Sequence, residues 1–394
     1  MKTVYYFLAL IILMLYSCDE KKLEPISQSL GKPGQVEILA LEAIAGGAIV
    51  TYRIPDSEDI LAVKAVYTIT NGKTLESSTS FYENYLVING YCDMNEHEAT
   101  LYTINRAQEM SDPAVVKFTP LEASLNKVAK TMEIISDFGG ARFIWQNEDR
   151  EPLIFEFFAE NEEGKLQAMR VINSATDSTK FSLRGYQPEE RWFACVIRDF
   201  WDNVTDTIYP SPRTKILPLY EEKIDKRNMS VMRLSNDAGW TNWEGREEYL
   251  IDDNRATYGH SAVGSIPAPF TIDLGATVKL SRILMFNRNY QDSYYGWGNV
   301  RKFDVYACYG VPSSSGDWDE WTLLMKDCTQ IKPSGLPGTT MTDEDIDAAL
   351  SGFEFEFDLN VEPLRYIRFV VTNTWTDASY SHPCEVDFYG VVVE

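Results

Sequence analysis

The sequence predicts an all-β chain of three sandwich modules, and three observations carry that prediction. Apolar residues fall in short alternating or continuous runs separated by acidic, Gly, Asn or Pro turns, the pattern of antiparallel strands and not of helices. The stretch G-G-A-I-V-T-Y-R-I-P-D from Gly46 is answered by G-G-A-R-F-I-W-Q-N-E-D from Gly139, an offset of 139 − 46 = 93 residues, about the length of one immunoglobulin-like sandwich. Beyond Met229 the echo stops and the strand pattern becomes clearer, so a different and larger module begins there.

The chain opens with Met1-Lys2-Thr3 and then V-Y-Y-F-L-A-L-I-I-L-M-L-Y, an apolar run too short to span a bilayer comfortably, followed by Ser17-Cys18. One positive charge before such a run is the layout of a secretory signal. The segment L-Y-S-C resembles a bacterial lipobox, with Leu15 and Ser17 in their usual places and Tyr16 departing from the small or branched residue found there. The resemblance makes residues 1–18 a lipoprotein signal and Cys18 the lipidated first residue of the mature chain, where several acyl chains give stable anchoring. The other reading is a cleaved signal with an incidental cysteine. Residues 19–34 form a polar tether bearing Pro and Gly.

Two similar modules follow, residues 35–120 and 121–218. Besides the G-G-A pair, L-V-I-N-G-Y ending at Tyr91 matches F-S-L-R-G-Y ending at Tyr186, and T-L-Y-T-I-N from Thr100 matches F-A-C-V-I-R from Phe193. Both read as fibronectin-III-like sandwiches, modules that serve as spacers. Asn71-Gly72-Lys73-Thr74 contains a G-K-T, but a phosphate loop would want glycine where Tyr67 stands, so that match fails. The aromatic cluster Trp192, Phe193, Phe200 and Trp201 is expected in strand core.

The whole chain, 394 residues and 44% hydrophobic, is long enough for several cores and excludes wholesale disorder. A formal net charge of −23 excludes a nucleic-acid partner, which needs a basic surface. Past Cys18, the five cysteines Cys92, Cys195, Cys308, Cys328 and Cys384 show no C-x-x-C spacing, so neither a zinc site nor a disulfide framework is indicated. Buried free thiols are expected, with one bridge among Cys308, Cys328 and Cys384 left open.

A linker of roughly Ser211 to Asn228 carries two prolines and then E-E-K-I-D-K-R-N. In residues 229–394 the strands are P-F-T-I-D-L-G (269–275), L-S-R-I-L-M-F (280–286), R-K-F-D-V-Y-A-C-Y (301–309), F-E-F-E-F-D-L (353–359), R-Y-I-R-F-V-V (365–371) and C-E-V-D-F-Y-G (384–390). Short antiparallel strands with long loops predict a jelly-roll sandwich. One helix stands out, M-T-D-E-D-I-D-A-A-L, where Thr342 can cap and Asp343 to Asp345 favour the helix start.

In order, I-D-D-N-R-A-T-Y-G-H-S, F-T-I-D-L-G, I-L-M-F-N-R, N-V-R-K-F-D-V-Y, W-T-L-L and C-E-V-D-F-Y-G resemble the discoidin, or coagulation-factor F5/8 type C, family, the architecture of many galactose-type carbohydrate-binding modules. With the two preceding sandwiches the chain resembles lipoproteins of Bacteroidetes glycan-utilisation loci. The resemblance implies several things. A D-x-N-x-x-T turn closed by a glutamate of the last strand would hold a structural calcium ion, here through Asp252, Asn254, Thr257 and Glu385. Hard oxygens suit that ion, although Asp252 and Asn254 also read as plain turn-formers. A glycan would sit on loops at one end of the sandwich. Two segments could build that face: N-R-N-Y-Q-D-S-Y-Y-G-W-G-N with Arg288, Tyr290, Tyr294, Tyr295 and Trp297, and T-N-T-W-T-D-A-S-Y-S-H-P with Trp375, Tyr380 and His382. His260 sits beside the calcium-type turn and could join them. Flat rings suit the C–H face of a sugar, and Arg, Asn or His suit its hydroxyl rim. Against this, Arg288 could merely pair with a local acid and His382 could merely hold its loop. Gly259 also replaces an aromatic frequent beside the histidine in that family.

Three histidines, with no H-E-x-x-H and no G-x-S-x-G, argue against an enzyme. The expected function is a non-catalytic, surface-anchored lipoprotein of the outer membrane that captures oligosaccharide or polysaccharide for a neighbouring transporter or hydrolase. The competing expectation is an adhesion or assembly protein whose last module binds another protein.

Overall fold

The computed structural model describes residues 30–393, so the signal segment and Cys18 lie outside the described residues. The fold is all-β. In the first module strands β1 (Glu37–Ile44), β2 (Gly47–Arg53) and β5 (Tyr85–Asn89) form one sheet in the order β1-β2-β5. Strands β3 (Ile60–Thr68), β4 (Thr74–Ser80), β6 (His97–Asn105) and β7 (Ala114–Phe118) form the other, in the order β4-β3-β6-β7. Alternation along each strand sends Val50, Tyr52, Val63, Ala65, Leu86, Ile88 and Leu101 into the shared core.

The second module repeats the plan. Helix α1 (Ser124–Thr131) leads into β8 (Glu133–Asp137), β9 (Gly140–Gln146) and β12 (Ser178–Leu183), ordered β12-β9-β8. Strands β10 (Leu153–Glu160), β11 (Leu166–Ser174) and β13 (Phe193–Arg198) are ordered β11-β10-β13. Trp145 stacks on Phe155 with centroids 4.3 Å apart. The repeated G-G now has a cause. Gly46 and Gly139 both take left-handed backbone, φ 64° and 65°, to start the hairpins into β2 and β9. Side chains on Gly47 and Gly140 would collide with the carbonyls of Ile88 and Leu183, 2.0 and 1.8 Å away. Of the expected aromatic core, Phe193 is buried and Trp201 packs against the first module's core, but Phe200 is 83% exposed. A tight reversal at Asp199–Asn203, pinned by the Asp199 carboxylate, carries the exposed Phe200.

The third module contains β14 (Glu222–Lys223), β15 (Ser230–Met232), β16 (Ala268–Asn287), β17 (Val300–Cys308), β18 (Thr322–Thr329), β19 (Phe353–Glu356), β20 (Leu364–Thr374) and β21 (Pro383–Val392). Its main path runs β14-β21-β16-β20-β17-β18, with β15 and β19 also on β16. Two predicted strands, 269–275 and 280–286, prove to be one. The first half of β16 pairs with β20, the second half with β21, and a register break between Asp273 and Val278 marks the change of partner. The core between includes Trp240, Phe270, Ile272, Ile283, Phe303, Phe369 and Phe388. The helix appears as α2 (Asp343–Ser351) with a capping box between Thr342 and Asp345. All five described cysteines are free thiols, Cys92 half-buried and the others buried.

The described chain divides into two compact units. The first takes residues up to Glu133 with Ile144–Phe181 and Phe193–Arg213; the second takes Ile134–Phe143, Ser182–Trp192 and everything from Thr214. Within the second unit Arg184 pairs with Glu356 at 2.6 Å and Arg282 with Glu221 at 3.1 Å, while Arg142 reaches Asp137 at 3.1 Å. The predicted linker is therefore structured: Glu221 is a hub of these pairs, and β14 adds to β21.

Candidate functional site

At one end of the third module a cavity of about 440 Å³ is lined by Trp243, Glu244, Tyr258, His260, Val263, Arg288, Tyr290, Tyr380 and His382. Five of the nine expected ligand residues meet here: His260, Arg288, Tyr290, Tyr380 and His382.

Three loops build the cavity. Trp240, fully buried, donates its indole N–H to the Pro269 carbonyl at 3.0 Å and anchors the loop that follows. That loop is bound to His260 by paired backbone hydrogen bonds, His260 N to Trp240 O and Asn242 N to His260 O. It then passes through left-handed backbone at Trp243 and Glu244, φ 49° and 67°, which lifts Trp243 to 75% exposure. The Tyr258 hydroxyl fixes the loop by donating to the Trp243 carbonyl at 2.7 Å.

From the second loop, Arg288 is held by Asn299, whose side chain accepts from the Arg288 N–H and donates to the Arg288 carbonyl. Its guanidinium carbon lies 3.5 Å from the Tyr258 ring centre and 4.6 Å from that of Tyr290. No carboxylate pairs with Arg288 among the described residues, so its N–H donors are left for a ligand. Trp297 stands edge-on beneath Tyr290, centroids 5.4 Å apart and half-buried, as a support and not as lining.

The third loop brings Tyr380, which stacks on His260 at 5.0 Å with the rings 11° apart, and His382. Gly298 permits this: any side chain there would meet the Tyr380 ring at 2.7 Å and His382 at 2.9 Å. His382 is 1% exposed, and its Nε2 accepts from the Gly298 N–H. Burial pushes the His382 imidazole down to about 3, helped by Arg288 and His260, so the ring is neutral and its Nδ1 carries the proton. That Nδ1 is buried and has no partner among the described residues. His260 is lowered as well, by burial first and by Arg288, against its hydrogen bond to the Ser261 carbonyl.

The remaining expected residues lie elsewhere. Tyr295 is fully buried, its hydroxyl bonded to the Asp345 carbonyl at 2.7 Å, and with Ala349 and Phe353 it forms a small core that Tyr294 and Trp375 pack against. The ring turns inward because α2 packs over it. Trp375 is edge-on to Tyr295 at 4.9 Å and borders a separate cavity of about 320 Å³ with Arg301, Gln330 and Lys332. Sequence reasoning missed Trp243, Glu244, Tyr258 and Val263. The one signal available was G-W-T-N-W-E-G, two tryptophans among turn-forming residues.

The residues that resemblance assigns to calcium do meet, but they are turned toward one another. The Asp252 carboxylate accepts from the Thr257 hydroxyl at 2.9 Å and the Asn254 N–H at 3.0 Å, an Asx-type turn. Glu385 accepts from the same Asn254 N–H at 3.1 Å and, through its other oxygen, from the Lys226 ammonium at 2.6 Å. Burial raises the Glu385 carboxyl to about 7, against the lowering effect of Lys226. This donor set does not fit a calcium cage: Asp252, Asn254 and Thr257 satisfy each other, and a cation already holds Glu385. Among the described residues no trio of His, Cys, Asp or Glu stands at metal-holding spacing.

Three family models match the chain, each described as a domain of unknown function: DUF4959 over residues 33–120, DUF5126 over 121–227 and DUF5000 over 247–390. A solved SusE-like protein is 32% identical, over 68% of this chain and 98% of that one, with a TM-score of 0.45. The C-terminal domain of a chitobiase from Bacteroides fragilis is 20% identical over 44% of this chain and all of that one (100%), TM-score 0.30. A family 32 carbohydrate-binding module from a family 31 glycoside hydrolase of Clostridium perfringens is 14% identical over 42% of this chain and 96% of that one, TM-score 0.27. Comparison with curated proteins gives no match.

Proposed function

Because the chain belongs to the SusE-like family, we propose that it is a non-catalytic glycan-binding protein of the cell surface whose third module holds the sugar in the Trp243–Arg288–His382 cavity. One observation carries this reading. The Arg288 guanidinium, with no carboxylate partner among the described residues, lines the same cavity as His260, His382 and a tryptophan that is 75% exposed. A guanidinium offers several N–H donors in a fixed fork, and a ligand rich in hydroxyl oxygens would accept from them. The Trp243 indole offers the flat apolar surface that the C–H face of a pyranose needs. An adhesion role would call for a broad contact face, roughly 800 Å² on each partner. Here Trp243, Val263, Glu244, Arg288 and His382 line a concavity of about 440 Å³, the size and mixed lining of a small-ligand site, which favours sugar.

In this reading Cys18 carries the lipid that anchors the chain to the outer membrane, and the two preceding modules act as spacers. A neighbouring transporter or hydrolase would receive the captured oligosaccharide, so that local concentration substitutes for tight binding. Among the described residues no helix is long and apolar enough to cross a membrane.

The test is a glycan array followed by titration calorimetry of the full chain with the best polysaccharide. Binding to a defined glycan, abolished in Trp243→Ala and Arg288→Ala proteins that melt like the parent, supports the proposal. A clean array, or binding that both variants retain, rejects it.

A further inference from the structure

The Nζ of Lys226 occupies a point on which oxygens from two separate segments converge. It lies 2.6 Å from Glu385 Oε1, 2.5 Å from Asp387 Oδ1 and 3.2 Å from Asp253 Oδ1, and its side chain is 3% exposed. Three hard oxygens round one point are the makings of a cation site, but with the ammonium between them they stand at N–H···O distances, and as placed they are not at metal-holding spacing. Lys223 adds a second ammonium, 2.9 Å from Asp253 and 3.0 Å from Asp387. The polypeptide delivers Lys226 deliberately. Strand β14 pairs with Gly390 and Tyr389, the Ile224 N–H donates to Phe388 O, and Asp225 caps the 3-10 turn Lys226–Asn228. The lysine then reaches across the last strand from the segment that precedes the module. Through Glu385, whose other oxygen holds Asn254 N–H, it braces the turn of residues 252–257.

We infer that the Lys226 ammonium fills the cation position of this module, so that the protein takes no divalent ion there. A metal ion added beside Lys226 would meet a buried positive charge about 3 Å away, and at that range in a protein interior the repulsion exceeds the gain from carboxylates that are already paired. The module therefore carries its own counter-ion, supplied by residues that read as linker. Asp252, Asn254 and Thr257 are released from coordination and serve as an ordinary turn.

The experiment is thermal unfolding of the full chain after dialysis against EDTA, then with about 5 mM CaCl2 or MgCl2, paired with calorimetric titration of Ca2+. The parent is expected to melt within about 1 °C in all three buffers and to give no binding heat. Lys226→Ala, purified in CaCl2, leaves three carboxylates round an empty point. It is expected to melt lower than the parent in EDTA and to recover by several degrees, roughly 5 °C, on adding Ca2+. A parent that loses several degrees in EDTA or titrates with Ca2+ overturns the inference, and this measurement decides even where the variant does not fold. A folded Lys226→Ala indifferent to Ca2+, Mg2+ and Mn2+ also overturns it, because the lysine would then fill no cation position.

Discussion

Gly298 and His382 hold each other twice: the Gly298 N–H donates to His382 Nε2 at 3.1 Å, and the His382 N–H donates to the Gly298 carbonyl at 2.9 Å. The first bond requires a neutral ring, because a protonated Nε2 would present hydrogen to hydrogen. Burial above all, with Arg288 and His260 beside it, holds the folded imidazole down at about 3, whereas an unfolded one titrates near about 6.5. Between those values the unfolded chain binds more protons, so stability falls as pH is lowered through the window, by on the order of 1 kcal/mol per unit. His260, also lowered, acts in the same direction. Urea denaturation at several pH values from neutral downward should show the loss. His382→Gln, whose amide oxygen can still accept from Gly298, should be less steep; an unchanged slope would remove His382 from the explanation.

The two exposed-looking tryptophans should part company. Trp243 is 75% exposed and touches little, so Trp243→Ala should leave the melting temperature within about 1 °C while removing glycan binding. Trp375 packs on Tyr295 and the core around Phe353. Trp375→Ala should therefore cost roughly 2–3 kcal/mol, short of a fully buried tryptophan because half of it faces water. The affinity of the folded remainder should be unchanged. Denaturation and calorimetry on the two variants check both statements, and the reverse assignment would mean that the ligand sits against Arg301 and Trp375.

These contrasts show what could be read in the sequence. Period-two alternation located the strands of the third module because one side of each faces a core. It did not show that residues 269–275 and 280–286 are one strand, since a change of partner at Asp273 leaves no polar turn behind. His260, Arg288, Tyr290, Tyr380 and His382 share a cavity because their loops belong to one end of the sandwich, which the order of motifs reveals. Tyr295 stood among Gly and Ser, a context that suggests exposure. Its direction is set instead by α2, about fifty residues later, and no local pattern carries that contact. Trp243 escaped notice because it precedes every predicted strand of its module. Lys226 sat in a charge run of the kind usually solvated, yet its counter-charges come from the last strand.

Asp345 ties α2 to the loop before it. Its carboxylate accepts from Ser334 N–H at 2.8 Å, Ser334 Oγ at 2.7 Å and Thr342 N–H at 2.9 Å. Burial alone would raise this acid, but those donors outweigh it and hold it down at about 2. Its contribution is therefore complete above about pH 4, where the unfolded carboxyl ionises, and is lost as pH falls toward 2. Asp345→Asn points an amide at three donors and should cost about 1–3 kcal/mol at neutral pH. Tyr295 and Trp375 rest on the same helix, so the near-ultraviolet circular dichroism of the variant should change as well. A variant as stable as the parent would show that the donors find other acceptors.

Arg368 poses a sharper case, being fully buried at 0% exposure. Its Nη2 and Nε reach Asp237 Oδ1 at 2.6 and 3.0 Å, Nη2 also reaches Asn236 Oδ1 at 2.7 Å, and Nη1 reaches the Gly316 carbonyl at 3.1 Å. The guanidinium lies 4.1 Å from the Trp318 ring centre, so every side of it is occupied. Taking such a charge out of water is expensive, and the pair is stabilising only while both members are present. Asp237→Ala strands the cation and should cost about 3–5 kcal/mol. Arg368→Met should cost less, since it leaves Asp237 with the Leu234 N–H at 3.1 Å and an apolar chain beside Trp318 and Trp321, whose ring centres lie 4.1 and 5.5 Å from the guanidinium. The double variant should be more stable than Asp237→Ala alone, because it removes the orphaned charge along with its partner. Urea denaturation of the three proteins measures the coupling. If the double variant is weaker than both singles by their sum, the two residues act independently, and the burial of this ion pair would need a different cause.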